Sequence, residues 1–227
     1  MMILFICFVS CKKDVITEDV GYNYFPDKVG KYVIYDVDSS YQDDPSNLKT
    51  NVKFRVKEVI ESTYTDNQGR PTLRIERYKK LYDPLVSYDS KPWVLSDVWS
   101  ANRTAATAEK VEENVRFIKL AFPTKKNKKW DGNAYNTIQG WDNYKIISTD
   151  ISDVVNNISF DSVTTVLQSN IDNLVTTTYG MEKYAKNIGM VYKKIVEYNK
   201  QKQNDSLFVY DDTTGYQYTM NVVSYGN

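Results

Sequence analysis

Val52-Lys53-Phe54-Arg55-Val56-Lys57 alternates apolar and cationic residues without a break. A period of two puts the three apolar side chains on one face of an extended strand and the three charges on the other. Tyr216-Gln217-Tyr218-Thr219-Met220-Asn221-Val222 repeats the pattern near the C-terminus. These two runs decide the fold class, because a half-buried strand is the simplest structure that uses both faces. Val52, Phe54 and Val56 are expected to point inward, with Lys53, Arg55 and Lys57 in water. The apolar parity shifts between Val56 and Val59, which predicts a β-bulge near Lys57–Glu58.

Outward from these runs, similar segments recur. Strand candidates are Lys31–Ser39, Thr72–Leu81, Trp93–Asn102, Val115–Phe122, Tyr144–Thr149, Val163–Ser169, Val175–Tyr179, Gly189–Tyr198 and Leu207–Asp211. Turn residues separate them: Asp66-Asn67-Gln68-Gly69-Arg70-Pro71, Glu112-Glu113-Asn114 and Asp211-Asp212-Thr213-Thr214-Gly215. Short links favour antiparallel neighbours, since parallel pairs need long crossovers. Met181–Ile188 could form two helical turns ended by Gly189, and Ala105–Glu113 is ambiguous between helix and strand. The expected fold is all-β: a single antiparallel meander over residues 22–227. It should form an open barrel or strongly curved sheet of about ten strands, with at most one or two short helices.

The longest stretch without alternation is Pro123–Asn143. Loops of such length inside a domain often carry function. This one holds Trp130, Asp131, Asn133, Tyr135 and Trp141. Aromatic faces beside hydrogen-bonding groups suit sugar or peptide recognition, so these five are the candidate ligand-binding residues. The alternative is packing, with the rings folded back as a lid over one barrel end.

Composition excludes several chemistries. Lys plus Arg and Asp plus Glu each number 29, so the formal charge is zero and no nucleic-acid partner is indicated. The chain has no histidine, which removes Ser-His-Asp and Cys-His catalysis and His-bearing zinc sites. No phosphate loop, nucleophile elbow or paired-cysteine motif is present, so no catalytic residue, metal or cofactor is assigned. Carboxylate pairs exist at Asp36/Asp38, Asp43/Asp44, Asp150/Asp153 and Asp211/Asp212. A glycosidase needs two carboxyls facing each other across a cleft, a placement that spacing alone does not define.

Residues 1–10 form a short apolar leader ending at Phe8-Val9-Ser10-Cys11, followed by Lys12-Lys13-Asp14. The run is too short for a permanent membrane span and resembles a bacterial lipoprotein signal peptide with its lipobox. Cys11 is then the lipid attachment site, and residues 11–21 form a lipidated tether. Cys7 would leave with the leader, so the mature domain would hold no thiol and no disulfide.

Four motifs occur in order: Tyr24-Phe25-Pro26-Asp27-Lys28-Val29-Gly30-Lys31-Tyr32, Asn114 to Pro123, Lys129-Trp130-Asp131-Gly132-Asn133, and Tyr184 to Lys193. Together with the Cys-Lys-Lys-Asp start they resemble outer-membrane lipoproteins of Bacteroidota, especially flavobacterial ones, a group without an assigned activity. The resemblance implies an outer-membrane location through the lipid anchor, with the membrane leaflet face left open. Asp205-Ser206-Leu207 and Asp212-Thr213-Thr214 also resemble the O-glycosylation pattern of exported Bacteroidota proteins, which makes Ser206 and Thr213 candidate acceptors.

The expected role is a lipid-anchored envelope protein with a non-catalytic binding or structural function and a protein or glycan partner. The alternatives are a carboxylate-dependent glycan hydrolase and a carrier of an acylated or apolar ligand. A deep apolar cavity would favour the carrier. Two close carboxylates in an aromatic cleft would favour the hydrolase.

Overall fold

Consecutive alternating segments joined by short turns build hairpins, and hairpins in series build a meander. The computed structural model describes residues 19–138, 141–202 and 210–227. Its strands are β1 (Tyr32–Asp43), β2 (Leu48–Thr65), β3 (Pro71–Leu81), β4 (Val94–Arg103), β5 (Thr107–Glu112) and β6 (Val115–Ala121). They continue with β7 (Lys129–Trp130), β8 (Tyr144–Val155), β9 (Ile158–Asp172), β10 (Thr176–Ala185), β11 (Gly189–Lys202) and β12 (Tyr210–Gly226). All belong to one 12-stranded sheet in the order β6-β5-β4-β3-β2-β1-β12-β11-β10-β9-β8-β7. Every pairing is antiparallel, and β1 joins β12 in mid-sheet.

The sheet curls until its edges almost meet. Ile118 of β6 donates its N–H to Gly132 O, just beyond β7, at 2.9 Å. The Trp130 indole N–H donates to Ile118 O at 2.8 Å, and Asn136 Nδ2 donates to Arg116 O at 2.7 Å. The architecture is the expected all-β meander, a nearly closed barrel. The strands beyond the expected ten are β5, from the ambiguous Ala105–Glu113, and the two-residue β7. No α-helix occurs among the described residues; three-residue 3-10 turns lie at Tyr22–Tyr24, Asp44–Ser46 and Tyr88–Ser90.

Several local expectations are corrected. Met181–Ala185 is strand, not helix, because Glu182 and Tyr184 are buried while Met181 and Lys183 alternate with them. Tertiary pairing with β9 and β11 overrides the helix propensity of this segment. Asp211–Gly215 is not a turn but part of β12, with a register shift opposite Asn199/Lys200. Of the candidate strand Leu207–Asp211, Tyr210 and Asp211 open β12 and the rest lies outside the described residues. No bulge occurs at Lys57–Glu58, where pairing with β1 and β3 is continuous; the β2–β3 shift falls between Ile60 and Ser62. Val52 shares the parity of Phe54 and Val56 but is 45 % exposed, whereas Phe54 and Val56 are 9 % and 2 % exposed. This part of β2 runs past the packed lumen.

Other turns follow the sequence. Asp66 Oδ1 accepts from the N–H groups of Gln68 and Arg70 in the β2–β3 link. Glu113 and Asn114 have φ 48° and 64°, the left-handed pair of a tight hairpin turn. Gly189 at φ +102° launches β11.

Connections in a meander alternate between the two barrel ends. The end carrying the β1–β2, β3–β4 and β5–β6 links is the open end among the described residues. The other is plugged by the segment entering β1. There Thr124 N–H donates to Val20 O, Tyr22 packs edge-on against Phe122 at 4.8 Å, and Tyr24 OH donates to Asp150 Oδ1 at 2.7 Å. Lys186 also pairs with Asp19 at 2.6 Å, so the last residues of the expected tether, Asp19–Gly21, lie against the barrel.

Candidate functional site

The inward parity of the strands is apolar for most of its length and then turns ionic. On β2 it reads Phe54, Val56, Glu58, Ile60; on β3 Leu73, Ile75, Arg77; on β11 Val191, Lys193, Ile195. With Asp97 of β4, Lys110 and Glu112 of β5, Lys119 of β6 and Glu182 of β10, these charges form one continuous lattice. Arg77 bridges Glu58 (3.1 Å) and Asp97 (3.2 Å), and Lys110 bridges Glu58 (2.8 Å) and Glu112 (3.6 Å). Lys119 reaches Glu112 (3.3 Å) and Glu182 (2.8 Å), and Lys193 reaches the same two carboxylates at 3.2 and 3.5 Å. Tyr184 OH donates to the other Glu182 oxygen. β6 and β10 are not neighbours in the sheet, so the Lys119–Glu182 pair crosses the lumen.

Burial makes this arrangement demanding. Glu182 is 0 % exposed and Lys119 3 %. A buried charge is tolerated only when paired and hydrogen-bonded. Burial raises the Glu58 carboxyl, but Lys110 and Arg77 outweigh it and hold the group below its ordinary range. Glu112 is likewise pushed up by burial and brought far down by Lys119, Lys193 and Lys110. Glu182 is lowered in the same way by Lys119 and Lys193. Burial opposes the Lys119 ammonium, yet Glu112 and Glu182 raise it above the lysine range. The pairing therefore favours the charged forms of Glu58, Glu112, Glu182 and Lys119, and the lattice sets four basic side chains against four carboxylates.

The lattice acts as a septum between two spaces. Toward the plugged end lies a cavity of about 80 Å³ lined by Phe25, Ile60, Leu73, Ile75 and Met190, with Glu58 and Lys110 on its ionic side. Toward the open end lies a cleft of about 270 Å³, with Glu58, Arg77, Glu112 and Lys193 along its floor. Its walls are Trp99, Tyr216 and Tyr218, together with Ile195 and the two methionines Met190 and Met220. The Arg77 guanidinium lies 3.8 Å from the Trp99 ring centre. Trp99 Nε1 donates to Glu113 Oε1 at 3.3 Å, which fixes the indole. Burial pushes the Tyr218 and Tyr216 phenols up to about 12, so both are neutral at physiological pH.

The residues singled out in Pro123–Asn143 lie elsewhere, on the seam. Trp130 is half-buried, spends its N–H on Ile118 O, and packs edge-on against Tyr144 at 5.8 Å. Trp141 is 9 % exposed and fills the space above Gly180, where a Cβ would stand 2.2 Å from the ring. Asp131 Oδ1 accepts from Asn133 N–H at 2.8 Å in a tight turn. Asn133 is buried, and its Oδ1 has no partner among the described residues. Tyr135 is 57 % exposed and reaches Glu109 Oε1 at 3.3 Å on the outer face of β5. These residues are held together by the closure of the barrel and share no concave space with the cleft.

Of the carboxylate pairs of the sequence, Asp36/Asp38, Asp43/Asp44 and Asp150/Asp153 do not line the cleft, and the Asp211/Asp212 side chains lie outside the described residues. Asp36 is held by Arg55 at 2.7 Å, Asp38 by Lys53 at 3.4 Å, and Asp150 by Tyr24. Glu58, Glu112 and Glu182 do face the lumen, although in the sequence they read as part of a bulge, a turn and a helical segment. Their signal is a single charge at an inward position of an alternating strand. Cys11 and Ser206 lie outside the described residues, and Thr213 belongs to β12 rather than a turn. No protein-family model, curated protein or solved structure matches the chain.

Proposed function

We propose that the chain is a lipid-anchored protein of the outer membrane that binds a ligand, without catalysis, in the open-end cleft. The observation that carries this reading is the cleft itself: aromatic walls above a floor of fixed, paired charges. Ligand sites commonly combine apolar or aromatic walls with a few well-held polar groups.

The rival readings find less support. A glycosidase needs one carboxyl kept protonated near neutrality as its acid. Glu58 and Glu112, the floor carboxylates, are shifted the other way by their cations. A carrier of acylated molecules needs a long apolar cavity, and the apolar space of about 80 Å³ is far below the roughly 300–1,000 Å³ of ordinary ligand pockets.

The anchor sets the orientation. A chain from Cys11 to Asp19 spans at most about 28 Å when extended. Asp19 is bound at the plugged end, so that end faces the bilayer and the cleft opens away from it. The ligand therefore comes from the aqueous side or from a partner, not from the anchoring lipid.

A photo-crosslinking residue at Leu81 tests this in intact cells. Leu81 is exposed and lies on the lumen-side parity of β3 beyond Arg77. The same group at Gln68, on the plugged end, is the control. A discrete adduct from Leu81 and none from Gln68 is expected; no adduct at Leu81 would count against binding at this end. Cys11→Ala should release the protein from membranes or stall its processing, and equal fatty-acid labelling of the wild type and the variant would refute the anchor.

A further inference from the structure

The charge balance of the septum bears on what the cleft can hold. We infer that it takes an uncharged sugar residue, the terminal ring of a neutral glycan; this deepens and rests on the ligand-binding reading above. The lattice pairs Arg77, Lys110, Lys119 and Lys193 with Asp97, Glu58, Glu112 and Glu182. A charged ligand gains no net attraction from such a paired floor and must still shed its water, and Glu113 on the cleft wall further opposes an anion. A hydroxyl group both donates and accepts. It can therefore take a hydrogen bond from Arg77 or Lys193 and give one to Glu58 or Glu112 without unbalancing the lattice.

The walls agree with that choice. A pyranose has an apolar C–H face that packs on an aromatic ring, while its hydroxyls project from the rim. Trp99, Tyr216 and Tyr218 are half-buried and border the same cleft as the four floor charges. The Trp99 ring is held by Glu113 and by Arg77, so little side-chain freedom is lost when a sugar settles on it. The Tyr216 hydroxyl is hydrogen-bonded to Glu197 and that of Tyr218 to Arg77, so both rings are held in place at the rim.

Size limits the contact to about one ring. A volume near 270 Å³ sits just under the usual range for small-molecule sites, so the rest of a glycan would lie outside the mouth. An extended peptide fits less well. Peptides commonly add to a free strand edge, and the strands that frame the cleft are paired on both sides: β3 with β2 and β4, β4 with β5, β11 with β10 and β12.

The test uses the full lipidated chain in a detergent without a sugar headgroup, titrated calorimetrically. The probes are neutral pentasaccharides of glucose, mannose and N-acetylglucosamine, with trigalacturonate and sialyllactose as acidic counterparts. Saturable binding of at least one neutral probe is expected, with the acidic probes binding no more tightly. Tyr216→Ala and Trp99→Ala should weaken it at least tenfold, and Tyr135→Ser, on the outer face, should leave it unchanged. Thermal melts establish that each variant is folded; if Trp99→Ala is not, the half-buried Tyr216→Ala decides. No saturable binding of any neutral probe overturns the inference, as does tighter binding of an acidic one. Loss of binding in Tyr135→Ser with retention in Tyr216→Ala overturns it too. The Leu81 crosslink reads ligand occupancy without regard to chemistry, so it can stand when the sugar assignment falls.

Discussion

The barrel lumen contains two regions that meet on β2 and obey different rules. One is an apolar girdle in which Val33, Tyr35, Val37, Phe54, Val56, Met220 and Val222 pack together. The other is the ionic septum of Glu58, Arg77, Asp97, Lys110, Glu112, Lys119, Glu182 and Lys193. In the girdle each residue contributes through the area it buries, and losses are graded with the volume removed. In the septum each charge is acceptable only because its partners are present. Removing one member leaves another buried and uncompensated. The girdle is a sum of contacts, while the septum stands or fails as a unit.

Acidification should produce the largest effect, since it reaches several members of the septum together. Glu58, Glu112 and Glu182 all titrate below the usual 4.5 in the folded state. Their stabilisation is fully present above that value and is lost as pH falls through the depressed folded-state values. Melting temperature should be level from about pH 5 to 8 and drop steeply below about pH 4. A melting temperature that held or rose toward pH 3 would contradict an ionised septum. The alkaline side has the opposite sign. The Lys119 contribution is complete below its usual 10.5 and erodes above it.

Lys119→Met comes next. It strips Glu112 and Glu182 of a shared cation and should cost about 3–5 kcal/mol in a denaturant melt. Adding Glu182→Met should restore part of the loss, because two apolar side chains leave fewer buried charges without a partner. The coupling energy from the full cycle should exceed about 1 kcal/mol. Additive costs would mean that the septum behaves like the girdle.

Phe54→Ala tests the girdle. The ring is 9 % exposed, lies between β1 and β3, and carries the Lys79 ammonium 3.9 Å from its centre. Truncation should cost about 3 kcal/mol by lost burial and an incompletely collapsed cavity. Unlike Lys119→Met, it should not be rescued by a second truncation next to it.

The same division explains what could be read from the sequence. The girdle was legible because Val52-Lys53-Phe54-Arg55-Val56-Lys57 states its own period. The septum was not, because a charge at an inward position breaks the apolar alternation that reveals a strand. The shift of apolar parity from Val56 to Val59 reads as a bulge near Lys57–Glu58, although β2 keeps its register through Glu58. Glu182 stands among good helix formers, so the second half of β10 reads as helix. The partners that make these charges tolerable are far off in sequence; Lys119 and Glu182 are 63 residues apart. Strict parity across several strands would have shown one inward charge after another, with signs that balance. Trp130 and Trp141 misled in the opposite direction. Their loop lacks alternation because it closes a seam rather than forming a ladder, and Gly180 is bare so that Trp141 can cover it. The seam role of Trp130 depends on a carbonyl of β6, a contact that no local pattern encodes.

The smallest effect should come from the same chemistry placed outside the lumen. Lys53 of β2 pairs with Asp38 of β1 at 3.4 Å, and both side chains are about half exposed, at 57 % and 48 %. Water already solvates each charge, so the pair gains little Coulomb energy and its loss strands nothing. Lys53→Ala should change stability by no more than about 0.5 kcal/mol, and that small change should shrink further in 1 M salt. Lys119→Met should be nearly insensitive to salt, because mobile ions do not enter the septum. Measured together in low and high salt, the two lysines separate burial from charge as the cause. If Lys53→Ala proved as costly as Lys119→Met, pairing alone would account for the lattice. The distinction between girdle and septum would then have to be drawn by something other than exposure to water.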